Sequence, residues 1–241
     1  MTSDMDTYHN SVTDILVLVD HTESTYIQIY GKDHLLKWEQ VQSAREVPKF
    51  LEQNIFSATY QITTNGKFSL VPNEVSELSG YAQLNLGDDD DIKEYSLPNF
   101  KIIGKHVSIA DTKRLVGVEN KLDVGLILEK LDSSKKSDTI LFYDLGGVLT
   151  LLVWKQGVFH LANRYVVNSE EEVFYYVMLA AEQLELNAAE LDFNIIGSED
   201  THRKYVEEFK DYLASLHNAS VNQYRNSDEE AVTTYLAKCV L

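Results

Sequence analysis

The sequence predicts an α/β protein made of two tandem domains, each with a mixed five-stranded sheet covered by helices. Three observations support this prediction. The second half contains three short β-rich runs, followed by helices and strands that alternate. Two helices of that half open with capping boxes, in which a serine precedes a glutamate by three positions. An apolar strand with an aspartate at each end occurs at residues 14–20 and again, 124 positions later, at residues 138–144.

The strands of the second half are joined by short turns. Three strands joined by tight turns favour an antiparallel meander. The predicted elements are strands at residues 139–144, 148–154 and 158–167, a helix opening at Ser169, a strand at 191–196, a helix from Ser198 to Leu216, a weak strand at 219–224 and a helix opening at Ser227. The resulting order, β-β-β-α-β-α-β-α, is that of the ribonuclease-H-like fold.

The first half repeats this opening and then departs from it. The predicted elements are strands at residues 14–20, 25–30, 34–41 and 57–63, a helix at 46–53, a short helix from Asn73 to Leu84, an exposed acidic loop at 88–91, a strand at 100–109 and a helix at 122–131. Asn65-Gly66 predicts a hairpin that joins residues 57–63 to residues 67–71. We therefore expect a second ribonuclease-H-like unit with an insertion near residues 64–98.

The repeat and a polar stretch before Thr139 predict domains at residues 1–134 and 135–241, facing each other across a cleft. The chain carries 38 acidic and 21 basic side chains, a net charge of −17, which opposes binding to nucleic acid or to anionic lipid. No apolar run approaches the ~20 residues of a membrane span. A single cysteine, Cys239, excludes an intramolecular disulfide and predicts a cytoplasmic protein.

Two linked ribonuclease-H-like units are the layout of the actin, sugar-kinase and Hsp70 ATPases. Three stretches carry a closer likeness: KFSLVP at residues 67–72, EEVFYYVMLAAEQLEL at 171–186 and LDFNIIG at 191–197. On these stretches the chain resembles an uncharacterised bacterial family, best represented in Bacteroidetes, whose members carry a domain of unknown function with an actin-like ATPase fold. The resemblance implies this fold along the whole chain, but it supplies no known activity.

The resemblance also implies where a nucleotide would lie. Actin-like ATPases hold phosphates at two hairpin turns, where an aspartate organises the metal and glycines let backbone amides approach closely. The candidate residues of an interdomain nucleotide cleft are Asp20, Thr22, Asp144, Gly146, Gly147 and Gly197. Asp20 and Asp144 would hold Mg²⁺ if a nucleotide binds.

This chain departs from the ATPase pattern at both turns. The first turn, Asp20-His21-Thr22-Glu23-Ser24, contains no glycine, and Glu23 would repel a triphosphate. The second turn continues with the bulky Val148. Gly197 is followed by Ser198, where the adenosine-side turn of these ATPases has paired glycines. The alternative interpretation is that the aspartates end strands and that the glycines satisfy turn geometry.

Three functions remain open from the sequence. The first is a non-catalytic binding or scaffold module with an unknown protein partner, no cofactor and no catalytic residue. The second is a switch or ATPase that binds Mg²⁺-ATP, and the third is a metal-dependent nuclease using Asp20 and Asp192. The seven histidines show no metal-ligand spacing. Phe174-Tyr175-Tyr176 predicts core or interdomain packing, with a partner-binding face as the alternative.

Overall fold

The structure is a computed structural model with two five-stranded sheets and one three-stranded sheet. It describes residues 12–21, 24–43, 45–64, 66–75, 86, 92–96, 100–105, 117–131, 137–187, 190–212, 216–218 and 227–241. We call residues up to 131 the first unit and residues from 137 the second unit. The domain boundary predicted between residues 134 and 135 falls among residues that are not described, and it stays a prediction.

The described part of the first unit forms eight strands and two helices of seven or more residues. They are β1 (Ile15–His21), β2 (Ser24–Tyr30), β3 (Leu36–Ser43), α1 (Val47–Gln53), β4 (Ala58–Thr63), β5 (Phe68–Pro72), β6 (Ile92–Ser96), β7 (Phe100–Lys105), β8 (Val118–Leu122) and α2 (Asp123–Leu131). The described part of the second unit forms five strands and three helices. They are β9 (Thr139–Asp144), β10 (Val148–Lys155), β11 (Val158–Val166), α3 (Glu170–Gln183), β12 (Asp192–Ile195), α4 (Glu199–Phe209), β13 (Leu216–Asn218) and α5 (Asp228–Val240).

The two large sheets have the same topology. Their strand orders are β3-β2-β1-β4-β8 and β11-β10-β9-β12-β13, so corresponding strands occupy corresponding places. In each sheet the first three strands are antiparallel and the last two run parallel to the first. The predicted pair of mixed five-stranded sheets is therefore confirmed.

The repeat extends to single residues. Asp20 pairs with Thr25 between β1 and β2, and Asp144 pairs with Leu149 between β9 and β10. Both pairs are related by the same 124-residue offset that the flanking aspartates show. The third strand of each sheet shifts register opposite the same equivalent position, after Ile29 in β2 and after Val153 in β10. A shared register and a shared bulge support a tandem duplication.

Each large sheet is buried on both faces because its central strand alternates between two cores. In β1, Leu16 and Leu18 pack towards α1, whereas Val17 and Val19 face a core that also contains α2 and α5. This arrangement explains why the central strands are continuous apolar runs instead of alternating ones. The outer face of β9 is covered in the same way by α3 and α4.

The two units share one hydrophobic core. Helices α2 and α5 pack on each other, and their apolar residues join inward-facing residues of both sheets in a single cluster. Gln28 of β2 donates a hydrogen bond of 3.2 Å to Thr234 of α5, which lies in the other unit. Lys130 of α2 donates to the carbonyl of Lys238 in α5 at 2.6 Å. A continuous apolar interface of this kind favours a fixed arrangement of the units.

The small sheet has the order β5-β7-β6. Its strands β5 and β6 lie within residues 64–98, where the sequence predicts an insertion, and β7 lies beyond that range. Its aromatic residues contact both units. Phe100 packs edge-on against Phe159 of β11, with ring centroids 6.3 Å apart, and the Tyr95 hydroxyl oxygen accepts from the backbone N–H of Leu122 at 2.5 Å. The inserted sheet therefore bridges the two units.

The prediction of a hairpin at Asn65-Gly66 is wrong. Strand β4 pairs with β1 and β8, while β5 pairs with β7 in the other sheet. Because both edges of β4 are taken by parallel partners, the chain has to leave the sheet after Thr64. Asn65 itself lies outside the described residues.

Five further predictions differ from the structure or cannot be compared with it. Strand β8 was not predicted, and the strand predicted from Phe100 is β7 of the inserted sheet. Helix α4 ends at Phe209, and Leu216, predicted on its apolar face, begins β13. Residues 76–84 of the predicted short helix, the acidic loop at 88–91 and the strand at 219–224 lie outside the described residues.

A buried ion pair joins the units where α2 begins. The Asp123 carboxylate is fully buried, and Arg164 Nη2 of β11 donates a hydrogen bond of 2.6 Å to its Oδ2. The Tyr143 hydroxyl donates to the same oxygen at 2.6 Å. The Arg164 guanidinium also donates to the Gly66 carbonyl and lies 5.1 Å from the ring centroid of Phe68. Burial raises the pKa of Asp123, and the charge of Arg164 opposes this effect.

We expect Arg164→Met to lower the free energy of unfolding by about 3–5 kcal/mol, because it leaves a buried carboxylate unpaired. Denaturant unfolding measures the loss. Arg203→Met is the matched control, since Arg203 pairs with Asp200 at an exposed site. Adding Asp123→Leu to Arg164→Met is expected to restore part of the loss. Equal effects of the two arginine variants would contradict a structural role of the buried pair.

Gly125 in α2 gives a second prediction. A Cβ atom at this position would lie 2.5 Å from ring carbons of Tyr95. Glycine to alanine inside a helix normally stabilises by about 1 kcal/mol. Here we expect Gly125→Ala to destabilise by about 1–3 kcal/mol through overpacking. In a Tyr95→Ala background the same substitution is expected to stabilise. A stabilising effect in the wild-type background would show that the contact is absent.

Candidate functional site

A cavity of about 270 Å³ lies in the second unit, at the carboxyl ends of the parallel strands β9 and β12. Its apolar lining is Phe142, Val167, Val173, Ile195, Ile196 and Tyr205. Its polar lining is Asp144, Gly147, Asn168, Ser169, Glu170, Thr201, Lys204 and Asp228. Open α/β sheets form such crevices beyond the carboxyl ends of neighbouring strands, where the covering helices start.

Helix caps place the polar residues around this cavity. Ser169 Oγ accepts from the backbone N–H of Glu172 at 3.3 Å, and Ser198 Oγ accepts from that of Thr201 at 3.2 Å. Helices α3 and α4 therefore both begin at the cavity. The capping box predicted at Ser169 and Glu172 forms with one change, because the Glu172 carboxylate accepts from the N–H of Asn168 at 2.7 Å.

Asp144 closes the turn after β9. Its Oδ1 accepts from the backbone N–H of Gly147 at 2.9 Å. Gly146 and Gly147 have φ angles of +60° and +79°, which favour glycine, so their presence follows from the turn itself. Burial raises the pKa of Asp144, and the negative charge of Asp228 raises it further.

Asp228 is one of several cavity residues that the sequence did not predict as part of the site. Its Oδ1 accepts from the N–H of Ser198 at 2.7 Å, and its Oδ2 accepts from the Thr201 hydroxyl at 2.8 Å. A Cβ atom on Gly197 would lie 3.1 Å from Asp228 Oδ1, so this glycine allows the carboxylate to approach. The only sequence signal was that Asp228 directly follows the predicted Ser227 cap.

The cavity is electrostatically negative. Lys204 of α4 forms an ion pair with Glu170 at the start of α3. This pairing neutralises the single ammonium of the lining with one of its three carboxylates, and Asp144 and Asp228 remain. The arrangement therefore disfavours a phosphate group and favours neutral or cationic groups.

Asp20, the counterpart of Asp144, lies in a different environment. It is fully buried, its Oδ1 accepts from the Thr25 hydroxyl at 2.7 Å, and its Oδ2 accepts from Gln61 Nε2 at 2.6 Å. By strand pairing, the counterparts of Thr25 and Gln61 in the second unit are the apolar Leu149 and Ile195. Polar side chains thus surround Asp20, whereas Asp144 borders a cavity.

The two predicted phosphate turns contact each other. A Cβ atom on Gly146 would lie 2.5 Å from Nε2 of His21, so the imidazole of the first turn lies directly against the second turn. Burial lowers the pKa of His21, and the charge of Glu229 partly opposes this effect. Thr22 and Glu23 lie outside the described residues.

The structure thus brings some of the predicted site residues together. Asp144 and Gly147 line the cavity and Gly197 adjoins it, while Gly146 faces His21 and Asp20 lies in its own hydrogen-bond network. The described ranges contain no group of three or more histidine, cysteine, aspartate or glutamate residues that could hold a metal ion. The Mg²⁺ site at Asp20 and Asp144 stays a prediction. No helix within these ranges is long and apolar enough to cross a membrane.

Known proteins resemble this chain in sequence pattern and in fold. The model of a family described as "Protein of unknown function (DUF3822)" matches residues 16–216. A Bacteroides thetaiotaomicron protein with actin-like ATPase fold and unknown function is 16% identical, with a TM-score of 0.71 over 93% of this chain and 96% of that chain. The PilM-PilN type IV pilus biogenesis complex contains a chain 11% identical, with a TM-score of 0.55 over 94% and 98%. No curated protein matches.

The likeness to the Bacteroides thetaiotaomicron structure confirms the predicted actin-like ATPase fold. At such identities, similarity between structures establishes the fold and leaves the activity open.

The lowered pKa of His21 predicts a pH-dependent stability. Between that lowered value and the ordinary value of 6.5, the unfolded chain binds more protons than the folded one. The free energy of unfolding contributed by His21 therefore falls as the pH drops through 6.5. We expect wild-type protein to lose more stability than His21→Gln between about pH 7 and pH 5 in denaturant unfolding. Parallel pH curves for the two proteins would contradict a half-buried His21 that is neutral in the folded state.

Proposed function

We propose that this chain, which belongs to the DUF3822 family of proteins of unknown function, is a non-catalytic protein-binding or scaffold module with an actin-like ATPase fold. Its membership agrees with the resemblance that the sequence predicts. In this proposal the architecture of the nucleotide-binding fold is kept, while the turns that would hold phosphates have lost that role.

The contact between His21 and Gly146 carries this proposal. Between the two turns, where an actin-like ATPase would hold phosphates, the imidazole lies within contact distance of the second turn's backbone. A phosphate group needs that backbone to be open, because it is bound by N–H groups that point at it. Occupation of this space by a side chain of the same protein supports a module without nucleotide.

The charges near the cavity support the same proposal. Helix N-termini bind anions through their unpaired N–H groups and positive dipole ends. The first turn of α3, however, carries three glutamates, Glu170, Glu171 and Glu172. Their negative charges offset the positive dipole end of this helix. Asp144 and Asp228 add two more carboxylates to the lining. A nucleoside triphosphate would therefore meet repulsion where its phosphates need donors.

The joined units support a static role. ATP-dependent switches of two domains work by hinge or shear closure around the ligand. Here α2 and α5 lie in a shared core, and the Asp123–Arg164 pair is buried between the units. Opening this interface would expose apolar surface and separate two buried charges, which is costly.

A protein partner is the ligand class that we propose. The PilM-PilN structure is by its title a complex of a similar chain with another protein, and it provides a precedent for protein binding on this fold. The strongly acidic composition disfavours nucleic acid and anionic lipid as partners. The cytoplasmic location predicted from the lone Cys239 is part of this proposal.

One observation favours the alternative, a switch or ATPase that binds Mg²⁺-ATP. The Asp144–Gly147 turn borders a cavity at the second of the two places where actin-like ATPases hold phosphates. Asp144 would then be the residue that organises the metal. The two functions differ in a single measurable property, which is nucleotide affinity.

Thermal unfolding with and without millimolar Mg²⁺-ATP tests the proposal. A nucleotide present at about 100 times its dissociation constant would stabilise the folded state by about 2.7 kcal/mol. We expect no change in the melting temperature of the wild-type protein relative to Mg²⁺ alone. An upward shift that is lost in Asp144→Asn but kept in Asp211→Asn, an exposed control, would overturn the proposal in favour of the switch. Equilibrium dialysis with labelled ATP provides a second readout.

A further inference from the structure

The second unit exposes an aromatic surface that the nucleotide question does not involve. We define the aromatic face as Tyr165 of β11, the consecutive residues Phe174, Tyr175 and Tyr176 of α3, and Tyr212, which follows α4. Tyr175 is 59% exposed and Tyr212 is 62% exposed. Two valines of the same unit, Val166 of β11 and Val206 of α4, are 74% and 40% exposed.

The rings of the aromatic face contact one another. Tyr165 and Tyr176 lie parallel, with centroids 4.0 Å apart, and Tyr175 packs against Tyr176 at 5.2 Å. Phe174 contacts Tyr212 at 5.2 Å. Consecutive helical residues point about 100° apart, so α3 directs Tyr176 towards β11, Phe174 towards α4, and Tyr175 outwards between them. The face therefore runs continuously from β11 across α3 to α4.

Core packing accounts for only part of this face. Phe174 stacks on Phe209 with centroids 4.5 Å apart, and both Phe174 and Tyr176 pack against the buried cluster of the second unit. Tyr175 and Tyr212 keep more than half of their surface in solvent. Rigid, exposed tyrosines next to other apolar side chains are typical of protein-binding surfaces.

The aromatic face is bordered by negative charge. Helix α3 carries four glutamates and no basic residue. Three of them, Glu170, Glu171 and Glu172, precede the three aromatic residues by four positions each and thus lie one turn away on the same sides of the helix. The two basic residues of α4, Arg203 and Lys204, are already paired with Asp200 and Glu170.

We propose that the aromatic face binds an arginine-containing polypeptide segment of a partner protein. A guanidinium stacks favourably on a tyrosine ring and pairs with a carboxylate, and here Glu171 lies one turn from Tyr175. Apolar side chains of the same segment would cover the exposed ring surfaces of Tyr175 and Tyr212. The inference rests on the proposed function, since it names the chemistry of the partner that a protein-binding module would take.

Isothermal titration of the full chain with a synthetic amphipathic helix tests this inference. The probe carries arginines on one face and leucines on the other, and the comparison probe carries glutamates in place of the arginines. We expect the arginine probe to bind and the glutamate probe to fail. Tyr175→Ser and Tyr212→Ser are each expected to weaken binding of the arginine probe about tenfold or more. Glu171→Gln is expected to weaken it by a smaller factor.

Ile55→Ser is the matched control, because Ile55 is a 70% exposed apolar residue of the first unit. We expect this variant to bind the arginine probe like the wild type. Melting curves establish that every variant is folded. Absence of binding, equal affinity for both probes, or equal losses in the tyrosine and isoleucine variants would overturn the inference, because attraction to the net charge alone does not depend on Tyr175.

Two other outcomes have defined meanings. Self-association of the wild-type chain in sedimentation, abolished by Tyr175→Ser, would make a second copy the occupant and would overturn the inference. Stabilisation by Mg²⁺-ATP in the melting experiment would overturn the proposed function by itself. A failed peptide titration without any nucleotide effect would remove the aromatic face as the binding surface and leave the non-catalytic module standing.

Discussion

The relative placement of the two sheets depends on one buried ion pair. Asp123 starts the last helix of the first unit, and the arginine that neutralises it comes from the edge strand of the second unit. The same guanidinium contacts Gly66 and Phe68, where the chain enters the inserted sheet. A charge buried this deeply needs its partner in a fixed geometry. Arg164 thus specifies how the first unit, the second unit and the insertion fit together, while the shared apolar core supplies most of the stabilising area.

The two units differ where a functional site is expected. Both first strands end in an aspartate at an equivalent position of an equivalent hairpin. In the first unit Thr25 and Gln61 hydrogen-bond that aspartate in a closed polar network. In the second unit apolar residues take their places, and a cavity with two further carboxylates forms beside Asp144. The fold sets where a site can lie, but side chains from separate elements decide what the site can bind.

The sequence predicted what local chemistry determines. Apolar runs located the central strands, serine caps located the starts of α3, α4 and α5, and the repeated aspartates revealed the duplication. Features that depend on distant contacts were missed. Strand β8 has a polar sequence, and it is a strand because it pairs with the edge of β4. The turn signal at Asn65-Gly66 forms no hairpin because both edges of β4 are paired with parallel strands. His21 contacts Gly146, and Asp228 accepts from Ser198, although these residues belong to separate elements. No sequence pattern predicts either contact.

Helix α5 belongs by sequence to the second unit, yet it also packs against β1 and β2 of the first. Ala231, Val232, Leu236 and Ala237 are fully buried there, so neither half presents a finished surface without the other. The two halves share a sheet topology, but they are not interchangeable parts. Among relatives, substitutions in α5 should be correlated with substitutions in α2 and in the first sheet. Chimaeras that exchange halves between distant relatives would combine an α5 from one protein with an α2 and a first sheet from another, whose side chains would not pack together.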